Sequence, residues 1–188
     1  MRIAVTGTHG CGKSTLIDDF ASVHSAYQSV PEPYWLLAQS GMPFADGPDI
    51  ADLEQQLGES CKLILNSATS PDVIFDRCPL DFLAYLDVVS ASEGFEWLPD
   101  GRLLASIGKA IAALDLIAFV PLLVPDEIAT KIEYKALRKN VDRRLKAIMQ
   151  TDDLGLLADG PPIIAITGSR STRVARLAAA LQRIDARA

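Results

Sequence analysis

At 188 residues, 49% of them hydrophobic and 22% charged, the chain has the make-up of a single well-buried domain and not of a disordered tail. It holds no run of about 18 uncharged apolar residues and its start lacks the apolar length and cleavage site of a signal peptide, so no membrane partner and a cytoplasmic location are expected. A net charge of −6 argues against broad nucleic-acid binding, and Cys11, Cys61 and Cys78 with two histidines suggest neither a disulfide framework nor a metal cage.

Arg2 to Thr6 is a short β-prone run that ends at glycine and predicts a buried strand. Lys13 to about His24 predicts a helix, with Leu16, Ile17 and Phe20 on one face. Ser29 to Pro31 is a short second strand. Residues 31–48, rich in proline and glycine, read as irregular apart from a turn or two of helix near Trp35 to Gln39. Residues 49–67 repeat Ile50, Leu53, Leu57, Cys61 and Ile64 at helical intervals. Asp72 to Asp76 is a strand that ends on a carboxylate. A helix follows from Pro79 to about Val89, then a loop over 90–101 and a helix over 102–114. Leu116 to Val120 is a fourth strand, and Pro125 to Gln150 is charged and helical, with room for one break. Ile163 to Thr167 is a fifth strand, followed by a helix from about Thr172 to Ile184.

Short apolar strands alternating with helices predict an α/β fold, a five-stranded parallel sheet with helices on both faces. One domain over 1–188 is expected, with a lid-like basic helical segment at about 125–150. Such sheets gather ligands beyond the carboxyl ends of their strands.

Gly7-Thr8-His9-Gly10-Cys11-Gly12-Lys13-Ser14 matches the P-loop pattern G-x-x-x-x-G-K-[ST], between a strand and a helix as that pattern requires. Gly7, Gly10, Cys11, Gly12, Lys13, Ser14 and Thr15 are therefore expected to line the phosphates of a nucleotide, largely through the backbone. Lys13 would reach the β- and γ-phosphates and the Ser14 hydroxyl would bind magnesium. His9 and Cys11 fill variable positions, and neither side chain is given a chemical role. Asp76, at the end of its strand, is the candidate second magnesium carboxylate, and Arg77 follows at once. A GTPase is excluded, because the one D-x-x-G, Asp152 to Gly155, follows a charged helix and Lys139-Asn140-Val141-Asp142 reverses the guanine-reading pair.

The P-loop, the Asp76-Arg77 strand ending and the Glu32-Pro33 pair after the second strand resemble the P-loop nucleoside and nucleotide kinase superfamily. Thymidylate kinases carry Asp-Arg at the corresponding strand end, and deoxynucleoside kinases carry Glu-Arg. Asp76 to Tyr85 also resembles a bacterial group of small AAA-type kinase-like ATPases that includes nicotinamide riboside kinase domains. The resemblance implies that Glu32 takes a proton from the acceptor hydroxyl and that Arg77 steadies that carboxylate or an acceptor phosphate. Trp35 departs from the pattern, lying two residues after Pro33 where deoxynucleoside kinases space their tryptophan further on. Base stacking and plain packing both stay open for it.

Charge is unevenly spread: residues 1–125 hold 6 basic against 16 acidic residues, and residues 126–188 hold 12 against 8. Lys131, Lys135, Arg138, Lys139, Arg143, Arg144 and Lys146 crowd into 125–150, the region that forms a lid over the triphosphate in the resembling kinases. Arg138 and Arg143 are the expected lid arginines. A solvated face paired with Glu133 and Asp142 is the plain alternative. The loop Thr167 to Arg170 follows the last strand where the resembling kinases pack a loop beside adenine, so the resemblance implies an adenine-side contact through Ser169 and Arg170; an ordinary glycine turn is the plain alternative. Together these readings predict a kinase using ATP as co-substrate and Mg2+ as cofactor, acting on a small-molecule hydroxyl or phosphate, nucleoside-like or nucleotide-like. The alternative is a nucleotide-dependent regulatory ATPase acting on a protein partner.

Overall fold

The structure, a computed structural model, describes residues 1–126 and 133–186. Five strands, β1 (Arg2–Thr6), β2 (Gln28–Val30), β3 (Val73–Asp76), β4 (Leu116–Phe119) and β5 (Ile163–Ala165), form one parallel sheet in the order β2-β3-β1-β4-β5. The expected α/β architecture is thus present. Strand alternation sorts the side chains onto two faces. Ile3, Val5, Ile74, Leu116 and Ala118 pack beneath α1 (Lys13–Val23) and α7 (Arg170–Asp185). Ala4, Val73, Phe75, Ile117 and Phe119 pack beneath α3 (Ile50–Asn66), α4 (Pro79–Ser92), α5 (Gly101–Ala112) and α6 (Lys135–Thr151). Burial on both faces is why the strands read as continuous apolar runs.

β1 lies at the centre, flanked by β3 and β4. The loops after β1 and β3 therefore open side by side at the carboxyl edge, where ligands of such sheets gather. No helix among the described residues is long and apolar enough to cross a membrane.

The turn or two of helix expected near Trp35 to Gln39 is α2 (Pro33–Gln39), with Pro33 in its first turn, where its missing N–H costs nothing, and the rest of 31–48 is irregular. One expectation needs correction. The charged segment does not begin its helix at Pro125. Asp126, Glu133 and Tyr134 are not helical, Tyr134 has a left-handed backbone (φ 49°), and α6 starts only at Lys135. Lys131, counted in that segment, lies outside the described residues.

Candidate active site

The loop between β1 and α1 has the shape its glycines allow. Gly7 has φ 149°, and a Cβ there would stand 2.5 Å from the Val120 carbonyl oxygen, so no side chain fits. Gly12 caps α1 with φ 90° and no side chain bonds the cap, which leaves the first amides of α1 and its positive dipole end for an anion. Lys13 is buried and donates from Nζ to the Thr8 carbonyl at 3.1 Å. Thr15 is half-buried in the first turn of α1.

Ser14 Oγ donates to Asp76 Oδ2 at 2.5 Å, which joins the start of α1 to the end of β3. Asp76 Oδ1 is buried without a hydrogen-bond partner among the described residues. Burial pushes the Asp76 carboxyl above its ordinary value, although Lys13 and Ser14 pull it down. A hydroxyl and a carboxylate with one free oxygen are hard oxygen donors of the kind Mg2+ takes. Among the described residues no group of three or more His, Cys, Asp or Glu side chains is placed to hold a metal. An ion at Ser14 and Asp76 would therefore complete its shell with nucleotide phosphates and water.

Beyond the loop, Arg77 Nε donates to Glu32 Oε1 at 2.5 Å, across 45 positions of sequence. Glu32 lies at the start of α2 and Arg77 just past β3. Arg77 holds φ 79°, a conformation bulky residues rarely adopt, which turns its side chain in toward the P-loop. Its Nη1 also approaches the Gly7 carbonyl and Asp81 Oδ1, both at 3.5 Å, and its guanidinium carbon sits 5.3 Å from the Tyr85 ring centre. Burial raises the Glu32 carboxyl, but Arg77 and Lys13 outweigh it and hold the group below its ordinary value. Glu32 and Arg77 line a cavity of about 280 Å3 together with His9 of the P-loop, Phe82, Tyr85 and Tyr134.

Three contributors were not foreseen. Asp81, fully buried, accepts from the Gly7 amide (2.9 Å), the Thr6 hydroxyl (2.7 Å) and the Cys78 amide (3.0 Å), so it fixes the first turn of the P-loop. Its place three residues after the first cap of α4 was a visible capping signal, but its reach to β1 was not. Arg173, also buried, donates to the Cys11 carbonyl at 2.9 Å and the Gly168 carbonyl at 3.0 Å. Its spacing with Leu177 and Ala180 on the inward face of α7 was the available hint. His9 does have a side-chain role. Its backbone N–H donates to the Tyr85 hydroxyl (3.0 Å), and its ring nitrogens meet that hydroxyl (2.7 Å) and the Glu133 carbonyl (2.8 Å). Burial lowers its pKa, and Arg77, Lys13 and Arg138 add to that, so the ring is neutral. The pattern fits Tyr85 donating to Nδ1 and Nε2–H donating to Glu133.

Of the two expected lid arginines, the structure brings one to the site. Arg138 is buried and donates to the carbonyls of His9 and Gly10, both at 2.9 Å, and to Asp126 at 2.6 Å. Arg143 is exposed, bonds Asn140, and lines a groove with Asp87 and Arg144. Five positions along a helix carry it to a different face from Arg138. Ser169 caps α7 by accepting from the Thr172 amide, while Arg170 pairs with Asp19 on the flank of α1 at 2.8 Å. Trp35 is 59% exposed against Tyr34, and so is not packed into the core.

A family model described as an AAA domain matches residues 2–147. No curated protein matches the chain by sequence. Among solved structures, deoxyadenosine kinase from M. mycoides with bound dATP superposes with a TM-score of 0.65 at 13% identity, covering 97% of this chain and 99% of that one. NadR protein in complex with NR gives 0.63 at 17% identity, covering 97% of this chain and 50% of that one. Thymidylate kinase from Candida albicans gives 0.62 at 13% identity, covering 97% and 91%. At these identities the shared property is the fold, that of P-loop kinases.

Proposed function

This chain belongs to the AAA-domain family matched over residues 2–147, and from that premise we propose that it is an ATP- and Mg2+-dependent kinase of a small molecule. The observation that carries this reading is the Glu32–Arg77 pair, 2.5 Å apart, in a cavity whose wall includes His9 of the P-loop. An acceptor there lies next to the loop that cradles the transferred phosphoryl group. The kinase fold shared with proteins solved with dATP and NR supports the same class of ligand.

Phosphoryl transfer asks for positioning and charge more than for covalent chemistry. Lys13 and the amides of Gly10 to Thr15 hold the phosphates, and Asp81 and Arg173 keep that loop in shape. Ser14 and Asp76 would hold Mg2+, which, when bound, neutralises charge on the phosphate oxygens. Arg77 keeps Glu32 ionised and aimed into the cavity, where its carboxylate accepts the hydrogen bond of the attacking hydroxyl. Arg138, at the first turn of α6, is the lid arginine of this reading, and Ser169 and Arg170 stand on the adenine side.

The test is ADP release with ATP, Mg2+ and a panel of nucleosides, nucleotides and vitamins, with Lys13→Ala as the control that should lose all activity. Acceptor-dependent release is expected. Release at the same rate without any acceptor would favour a regulatory ATPase acting on a protein partner.

A further inference from the structure

His9 fills a variable position of the P-loop, yet every polar group it carries is used, and each reaches another part of the chain. Its backbone N–H donates to the Tyr85 hydroxyl on α4 at 3.0 Å, and its carbonyl accepts from Arg138 Nε on α6 at 2.9 Å. The ring Nδ1 meets the same Tyr85 hydroxyl at 2.7 Å, and Nε2 meets the carbonyl of Glu133 at 2.8 Å, two residues before α6 begins. A neutral imidazole offers one donor and one acceptor, and here both are taken.

Tyr85 is the other half of this junction. Its hydroxyl gives its proton to Nδ1 and accepts the His9 amide on a lone pair. Its ring belongs to the acceptor wall and lies 5.3 Å from the Arg77 guanidinium carbon, and Arg77 in turn holds Glu32. Two side chains therefore join the phosphate loop to the acceptor wall. A second route runs from the His9 and Gly10 carbonyls through Arg138 to α6. Energetic coupling between sites is carried by contiguous packed and hydrogen-bonded groups of this kind.

Resting on the kinase reading above, we infer that His9 is a positioning residue, which ties the filling of the phosphate cradle to Tyr85 in the acceptor wall and to the chain that leads into α6. Phosphates that draw the loop amides inward turn the His9 peptide with them. Tyr85 and the entry to α6 follow, because the bonds of His9 run to both. Nucleotide thereby sets the shape of the cavity that the acceptor meets.

Two measurements on the intact protein test this. Long-range 15N–1H spectra see both histidines of the chain, His9 and His24, and His24→Gln assigns them. At pH 7 His9 should show one neutral tautomer, with the proton on Nε2, and its ring signals should move when ATP and Mg2+ are added. Calorimetry then gives the affinity for ATP with Mg2+. Tyr85→Phe should weaken it by roughly fivefold or more, although the lost hydroxyl belongs to α4 and not to the loop. His9→Asn keeps an acceptor toward Tyr85 and His9→Gln keeps a donor toward Glu133, so each should lose less than His9→Ala. His9→Ala combined with Tyr85→Phe should lose less than the two changes summed. The spectra need no change at either position, so they decide the matter even where such a variant fails to fold. A mixture of His9 tautomers, ring signals that ATP and Mg2+ leave unmoved, or fully additive losses overturn the inference and leave the kinase reading standing. A wild-type protein that ATP and Mg2+ do not stabilise thermally sinks the kinase reading itself.

Discussion

Ser14 Oγ donates to Asp76 Oδ2 at 2.5 Å, while Asp76 Oδ1 is buried with no hydrogen-bond partner among the described residues. Burial raises the Asp76 pKa. For a group raised in the folded state, its contribution to stability is complete below the ordinary carboxylate range and is lost as pH rises through the folded pKa. At neutral pH the ionised carboxylate therefore works against the nucleotide-free fold. Asp76→Asn should raise the Tm of that form and should remove the extra stabilisation that Mg2+ adds to ATP. Thermal melts with ATP, with and without Mg2+, check both signs. An unchanged Mg2+-dependent shift would take Asp76 out of the metal site.

Glu32→Gln keeps the shape of the side chain but cannot take a proton. Acceptor phosphorylation should fall by about 10²–10⁴-fold with little change in ATP affinity. The lowered pKa sets the pH dependence of the wild-type pair. The stability of Glu32–Arg77 is present above the ordinary carboxylate range and is lost as pH falls through the depressed value. Steady-state kinetics on a verified acceptor provide the measurement, and normal kcat in the variant would leave the base unassigned.

The arginines of α6 can be told apart by one experiment. Arg138 holds two P-loop carbonyls and Asp126, and hydrogen bonds to charged groups are worth about 1.5–3 kcal/mol. Arg138→Gln should weaken ATP binding by roughly tenfold or more, whereas Arg143→Gln, on the exposed face, should change it by no more than about 0.5 kcal/mol. Titration calorimetry on both variants decides it. Equal losses would restore Arg143 to the site.

Asp81→Asn exchanges one accepting oxygen for an NH2 group that faces donors. One of Gly7 N–H, Thr6 O–H or Cys78 N–H then loses its acceptor in a fully buried place, at a cost of about 1–3 kcal/mol. Urea unfolding should show that loss. ATP should bind more weakly as well, because the Gly7 turn is no longer held. A stable variant with full ATP affinity would make Asp81 a simple helix cap.

What the sequence made legible was local. The P-loop is contiguous, and the five strands announce themselves as apolar runs because both sheet faces are covered. Asp76 and Arg77 close a strand whose neighbour carries the P-loop, so they too could be placed. Asp81 and Arg173 escaped notice because each acts on a partner 74 or 162 positions away. Charge density could not choose between Arg138 and Arg143, since that choice depends on which face of α6 meets the loop. Nor could helical spacing locate the start of α6, which follows the left-handed backbone of Tyr134.

Arg173 bears on how the protein is made. The chain emerges at about 5–20 residues per second, and the Gly7–Ser14 motif leaves the ribosome well before α7 does. Its carbonyl at Cys11 then waits for an arginine 162 positions further on. Until α7 emerges, the nascent chain therefore carries the complete nucleotide motif without the support that holds it in shape. ATP can act as a ligand of the finished fold while being a poor guide for the growing one, and a nascent chain halted before α7 should bind it weakly.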